Sequence, residues 1–319
     1  MDLVTEPTAH ECFLTITGPT AVGKTALSLA LADRLDGEII SADSRQVYRE
    51  LTIGTAKPSP EELCQAPHHF VDERSVFDPP FSAGAFAEEA NRRIRAIRAR
   101  GRYPLVVGGS TLYIHALQHG LADVPEVPST VRARIEERLE REGVEALYAE
   151  LEAVDPRQAA RMDPTKTQRL VRALEVYHGT GRPLSDYYDD QPEPPFSYRT
   201  VVLYRDRQRL YRRIEERVDH MLERGLLDEV QALLDKGVDP TRQPLRTIGY
   251  REPIQYLRGE IDYDEMVRLV KRNTRRYAKR QLTWFRRYED YTWLNIDDLS
   301  LAEQVAQLWD ELQEAMDRT

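Results

Sequence analysis

Short apolar runs alternate with longer amphipathic ones through the first third of the chain. Cys12-Phe13-Leu14-Thr15-Ile16-Thr17 is an apolar run that reads as a buried strand, and the Ala- and Leu-rich residues 25–35 read as a helix. Residues 38–43 form a second strand that ends in the carboxylate of Asp43, and the Arg- and Ala-rich residues 86–100 a helix. Residues 104–109 form a third strand running into a glycine turn, with residues 110–117 helical. This alternation predicts an α/β fold, a parallel sheet with helices on both faces. Ligands in such folds sit at the carboxyl ends of the strands, where the segment after Thr17, Asp43 and Ser110 all fall.

The pattern changes after Leu121. Residues 123–128 read as a linker, and residues 129–178 carry helical periodicity with charged faces, closed by Gly179-Thr180-Gly181-Arg182-Pro183. Residues 189–197 are a Pro-rich acidic loop. A strand returns over 198–204, followed by helices over 207–236 and 263–287, an edge strand over 291–296 and a closing helix over 299–316. The expected organisation is an α/β core of residues 1–122 and 198–319, interrupted by an all-helical insertion of residues 123–197.

Composition narrows the class. The chain has 319 residues, 41% hydrophobic and 31% charged, enough for two folded domains. No apolar run approaches the roughly 18 residues of a membrane span, and residues 1–7 lack the basic and apolar parts of a secretion signal. With Cys12 and Cys64 as its two cysteines, the chain has neither a disulfide framework nor a four-cysteine metal site, and a reducing, cytoplasmic setting is expected. The net charge of −9 argues against a polyanionic partner, but one stretch departs from it. Residues 267–288 contain no acid and nine basic residues, with Tyr277, Trp284, Phe285 and Tyr288 among them. Arginine mixed with aromatic rings suits phosphate contacts and base stacking, the reading preferred here over a solvated basic helix face.

The segment after the first strand carries the strongest chemistry. Gly18-Pro19-Thr20-Ala21-Val22-Gly23-Lys24-Thr25 fits the phosphate-loop pattern in the strand–loop–helix context that pattern requires. Its backbone N–H groups and the helix N-terminus suit a polyphosphate, Lys24 supplies a point charge, and Thr25 offers a hydroxyl to Mg²⁺. Asp43, at a strand end, suits either Mg²⁺ binding or proton acceptance, or else caps a helix. Ile53-Gly54-Thr55-Ala56-Lys57-Pro58 is a second glycine loop with a basic residue, and His68 and His69 read as structural. Arg213 and Arg217 share a helix face, fit for a pyrophosphate or for pairing with Glu215 and Glu216. Arg246-Thr247-Ile248-Gly249-Tyr250-Arg251 is a compact loop with basic ends.

Together these stretches, with Asp43-Ser44-Arg45-Gln46-Val47-Tyr48, Gly108-Gly109-Ser110-Thr111-Leu112-Tyr113 and Lys279-Arg280-Gln281-Leu282-Thr283-Trp284, resemble the tRNA dimethylallyltransferase family. The likeness runs from Phe13 to Arg287, and the absence of a C-terminal Cys/His module matches its bacterial branch. The resemblance implies transfer of a dimethylallyl group from dimethylallyl diphosphate to the N6 amine of adenosine 37. That base lies 3′ to the anticodon, in tRNAs reading codons that begin with U. It implies Asp43, Ser110, Lys24 and Arg217 as catalytic groups. The diphosphate falls to Gly18, Pro19, Thr20, Ala21, Val22, Gly23, Lys24, Thr25 and Arg217, with Mg²⁺ on Thr25. Ser110 stands where the family most often has Thr, and keeps the hydroxyl. Contacts to the tRNA anticodon stem-loop are implied for Asp43, Ser44, Arg45, Gln46, Ser110 and Arg132. They are also implied for Gln168, Arg169, Leu170, Val171 and Arg172, for residues 246–251, and for Lys279, Arg280 and Gln281. A monomer is expected. The alternative is a phosphate-loop kinase using the same loop for ATP. A nucleic-acid-dependent NTPase fits less well, because Asp43 alone ends a predicted core strand as an acid.

Overall fold

A computed structural model describes residues 11–317; the reading of residues 1–7 lies outside them. In chain order the elements begin with β1 (Cys12–Thr17), α1 (Lys24–Leu35), β2 (Gly37–Ala42), α2 (Pro60–Leu63) and β3 (His68–His69). α3 (Ala83–Ala99), β4 (Tyr103–Gly108) and α4 (Thr111–His119) follow, then α5 (Ser129–Val154), α6 (Pro156–Ala160), α7 (Thr167–Thr180) and α8 (Leu184–Asp189). The last part holds β5 (Ser197–Tyr204), α9 (Arg207–Glu223), α10 (Leu226–Asp235), α11 (Arg251–Leu257), α12 (Tyr263–Phe285), β6 (Thr292–Asn295) and α13 (Leu301–Asp317).

The backbone divides into two units, residues 1–118 with 195–319, and residues 119–194. In the first, six strands form one sheet in the order β3-β2-β4-β1-β5-β6, and every pairing is parallel. Strand alternation explains how both faces are buried. Leu14, Ile16, Leu105, Val107, Val201 and Leu203 join side chains of α1, α9 and α13 in one cluster. The alternate residues Phe13, Val106 and Val202 are buried too, and period two sends them to the opposite face. From β1 the chain crosses to β2 on one side, and after β4 it adds β5 on the other. That reversal opens a crevice at the carboxyl ends of β1 and β4.

Residues 119–194 form a helical unit with its own core of Ile135, Leu147, Leu151, Leu170, Leu174 and Tyr187. Asp155 is 1% exposed and accepts from the backbone N–H of Gln158 (3.0 Å) and of Ser185 (2.9 Å). One carboxylate thus satisfies donors at the starts of both α6 and α8. The helical periodicity of residues 129–178 is interrupted at Gly143, where φ is 83°.

The structure adds elements that the hydrophobic pattern did not mark. β3 is two residues long, α2 is one turn held by a Ser59–Glu62 capping box, and α8 and α11 are also short. The helical stretch 207–236 is two helices, broken at Arg224 and at Gly225, whose φ is 89°.

Candidate active site

Residues 18–25 leave the end of β1 and turn into α1. Gly18 (φ 143°) and Gly23 (φ 118°) occupy left-handed backbone, as does Ala21 (φ 64°). A side chain at Gly18 would place its Cβ 2.4 Å from the carbonyl oxygen of Leu203 on β5, so the loop lies flat against the strand end. Gly23 caps α1 without a side-chain acceptor, and no acid stands in the first turn. The N-terminal amides of α1 therefore remain available to an anion. Lys24 Nζ donates to the carbonyls of Gly18 (3.0 Å) and Pro19 (2.9 Å). Burial lowers its pKa to about 8, helped by the charge of Arg217 and opposed by Asp43.

Asp43 follows β2, and its Oδ1 accepts from the backbone N–H of Arg45 (2.9 Å) and Gln46 (3.3 Å). It caps a turn, not a helix, and uses one oxygen to do so. Ser110, just past β4, accepts from the N–H of Ser44 (2.9 Å) and donates to the Ser44 hydroxyl (3.2 Å). The ends of β2 and β4 are therefore stitched together beside the carboxylate.

Arg213 and Arg217 do share a face of α9, but they do not pair with their neighbouring acids. Arg213 Nε donates to the carbonyl of Ala21 in the phosphate loop (3.0 Å), and Arg217 Nη2 to that of Thr55 (3.3 Å). Glu215 instead pairs with Arg275 of α12. Burial pulls the Arg217 pKa down, with Arg213 adding to the effect and Asp43 opposing it. Lys24, Arg217 and Asp43 thus form one electrostatic group. Gln46 Nε2 donates to the carbonyls of Thr55 (3.3 Å) and Ala56 (3.2 Å), so Gln46 and Arg217 meet on one loop.

That loop is held by a residue the sequence did not single out. Glu229 accepts from the N–H groups of Thr52 (3.1 Å), Ile53 (2.7 Å) and Gly54 (3.1 Å), and from the Tyr250 hydroxyl (2.7 Å). No short-range pattern marks it, because its partners lie far along the chain. Lys57 is buried and donates to the carbonyls of Tyr48 (2.9 Å) and Arg49 (3.3 Å) and to Asp72, which gives it a structural task. His69 contacts Glu38 (2.7 Å) and His68 the Ala66 carbonyl (2.8 Å), in keeping with structural histidines. Among the described residues no group of three His, Cys, Asp or Glu side chains could hold a metal ion.

Several residues expected to face RNA are engaged elsewhere. Gln281 is 2% exposed; it accepts from Thr20 N–H (3.0 Å) and donates to the Gly109 carbonyl (2.7 Å). Tyr250 is fully buried under Glu229. In the helical unit Leu170 and Val171 are core residues, whereas Gln168 and Arg169 are exposed. Arg132 (3.3 Å) and Arg172 (3.1 Å) converge on buried Glu175. At the 246–251 turn Arg246 and Arg251 are exposed, Arg251 pairing with Glu252 (2.7 Å), and Thr247 and Ile248 are half-buried. The basic stretch splits in two. Arg268 pairs with Glu265 and Lys271 with Asp219, each at 2.6 Å, and Arg275 with Glu215. Arg276, Lys279, Arg280, Arg286 and Arg287 are exposed, and Arg287 stacks on Trp284 at 4.7 Å.

This geometry sits within a set of known relatives. The family model for IPP transferase matches residues 46–288. The tRNA dimethylallyltransferase of Salinibacter ruber is 68% identical over 92% of this chain and 90% of its own length. Among solved structures, the tRNA isopentenylpyrophosphate transferase of Bacillus halodurans is 39% identical with a TM-score of 0.71, covering 96% of this chain and 98% of that one. A eukaryotic dimethylallyltransferase acting on tRNA is 29% identical with a TM-score of 0.79, covering 94% of this chain and 77% of that one. With a family model spanning most of its length and relatives this similar along nearly all of it, the chain belongs to the tRNA dimethylallyltransferase, or IPP transferase, family.

Proposed function

We propose that this chain moves the dimethylallyl group of dimethylallyl diphosphate onto the N6 amine of adenosine 37, beside the anticodon, in tRNAs that read codons beginning with U. One juxtaposition carries the reading. A loop suited to a diphosphate and a carboxylate suited to an amine stand at the ends of strands of one sheet, with Lys24 and Arg217 both sensing the charge of Asp43.

The chemistry follows from those positions. The carbon–oxygen bond to the diphosphate breaks, its electron pair leaves on the diphosphate, and the amine nitrogen forms the new bond to carbon. Asp43 accepts the hydrogen bond of the amine and takes its proton. Lys24, Arg217 and the amides at the start of α1 stabilise the leaving charge where it develops. Ser110 would turn its hydroxyl from Ser44 toward the bridging oxygen once the donor is bound. The Thr25 hydroxyl would hold Mg²⁺, which takes few protein ligands and would neutralise diphosphate charge.

The target base leaves the anticodon stack to reach the site, at a cost of about a few kcal/mol. On the core unit, Arg45, Arg246, Arg251, Lys279 and Arg280 would bind RNA; on the helical unit, Arg132, Gln168, Arg169 and Arg172. The protein would act as a monomer in the cytoplasm; no helix among the described residues is long and apolar enough to cross a membrane. The relatives' names favour transfer over the kinase alternative. Incubating protein, Mg²⁺, labelled dimethylallyl diphosphate and unmodified tRNA, with ATP hydrolysis followed in parallel, tests this. Labelled tRNA without ATP turnover is expected; ATP turnover without labelled tRNA refutes it.

A further inference from the structure

Gln281 stands on α12, a helix whose neighbouring residues Arg276, Lys279 and Arg280 are exposed cations, yet its own side chain points away from solvent. Both ends of its amide are used, one on the phosphate loop and one beside it. Oε1 accepts from the N–H of Thr20, inside the loop, and Nε2 donates to the carbonyl of Gly109, at the turn that leads to Ser110. A Cβ built on Gly109 would meet Gln281 Nε2 at 2.6 Å, the Gly18 carbonyl oxygen at 3.3 Å and Lys24 Nζ at 3.5 Å. The amide, the glycine turn, the loop and the lysine therefore crowd into one place.

We infer that Gln281 is a positioning residue of the donor site: it fixes the phosphate loop against the β4–α4 turn and so sets the spacing between the diphosphate amides and Ser110. A glutamine suits this because it offers an acceptor and a donor at once, without adding charge beside a diphosphate. These two hydrogen bonds hold the loop in one arrangement, so less ordering is left for the donor to impose when it binds. This assignment rests on the diphosphate reading of the loop, and it moves Gln281 from the RNA surface to the donor side.

The test uses the full chain and two variants, Gln281→Leu and Gln281→Asn, with inorganic pyrophosphate as the probe in calorimetry and an anticodon stem-loop RNA in a separate binding assay. Gln281→Leu keeps the volume and removes both hydrogen bonds. Pyrophosphate affinity is expected to fall roughly tenfold, the KM for dimethylallyl diphosphate to rise in parallel, and RNA affinity to change less than about twofold. Gln281→Asn keeps both functions on a shorter arm and should recover part of the loss. Should Gln281→Leu fail to fold, as judged by circular dichroism, Gly109→Ala displaces the same amide from the other side and should weaken pyrophosphate likewise. Unchanged pyrophosphate affinity overturns the assignment, and so does an equal or larger loss of RNA affinity. Wild-type protein that binds pyrophosphate but labels no tRNA would instead defeat the transferase reading.

Discussion

The guanidinium of Arg217 holds down the pKa of Lys24: after burial it is the largest influence lowering that ammonium to about 8. Lys24 thus changes charge near pH 8, and its proton is what a diphosphate needs. Pyrophosphate affinity should fall as pH rises through about 8, once the ammonium loses its proton. Replacing Arg217 with Gln removes the positive neighbour, so the Lys24 pKa rises and the alkaline fall moves to higher pH, although binding weakens at every pH. Pyrophosphate titrations of both proteins across about pH 6–10 read the limb directly. A limb that stays in place in the variant would show that the two charges are not coupled.

Asp43 uses one oxygen to cap its own turn, which makes Asn a cleaner probe than Ala. Asp43→Asn keeps an acceptor for the N–H groups of Arg45 and Gln46 and loses the base. Single-turnover transfer should slow by about 10²–10⁴, with tRNA affinity nearly unchanged. A variant that binds tRNA poorly but reacts normally once bound would assign Asp43 to recognition.

The carboxylate of Glu229 gathers three successive amides and the Tyr250 hydroxyl. Glu229→Ala leaves these donors without their acceptor and should cost about 2–3 kcal/mol of stability in urea unfolding. Tyr250→Phe removes one bond and should cost about 1 kcal/mol. The two losses should be less than additive, because they share that bond.

The division of the basic stretch makes a matched pair of triple variants. Neutralising Arg276, Lys279 and Arg280, which are exposed, should weaken tRNA binding and reduce its salt slope by about 2. Neutralising Arg268, Lys271 and Arg275, which are already paired with acids, should change the slope by less than about 1. Equal effects from both triples would mean that net charge, not the exposed surface, governs binding.

The strands were legible because each is a compact apolar run: β1 matches its predicted bounds, β2 and β4 are shifted by one residue at both ends, and β5 starts one residue earlier. The loop, Asp43 and Ser110 were legible because strand ends gather ligands. Gln281 and Glu229 were not, since each is defined by partners that only the folded chain brings near. Leu170 and Leu174 show the opposite case. Their i,i+4 spacing places them on one helix stripe, in the core, whereas the range carried over from the family ran straight through Leu170 and Val171.

The order of strands also governs how the chain is made. β1 is an inner strand, paired on one side with β4 and on the other with β5. Residues 119–194 lie between those two partners in the chain. During synthesis, therefore, β1 keeps one edge open until the entire helical unit has emerged, and that unit, with its own core, is positioned to fold first. Completion of the phosphate loop comes later still, because Gln281 leaves the ribosome after every element it ties together.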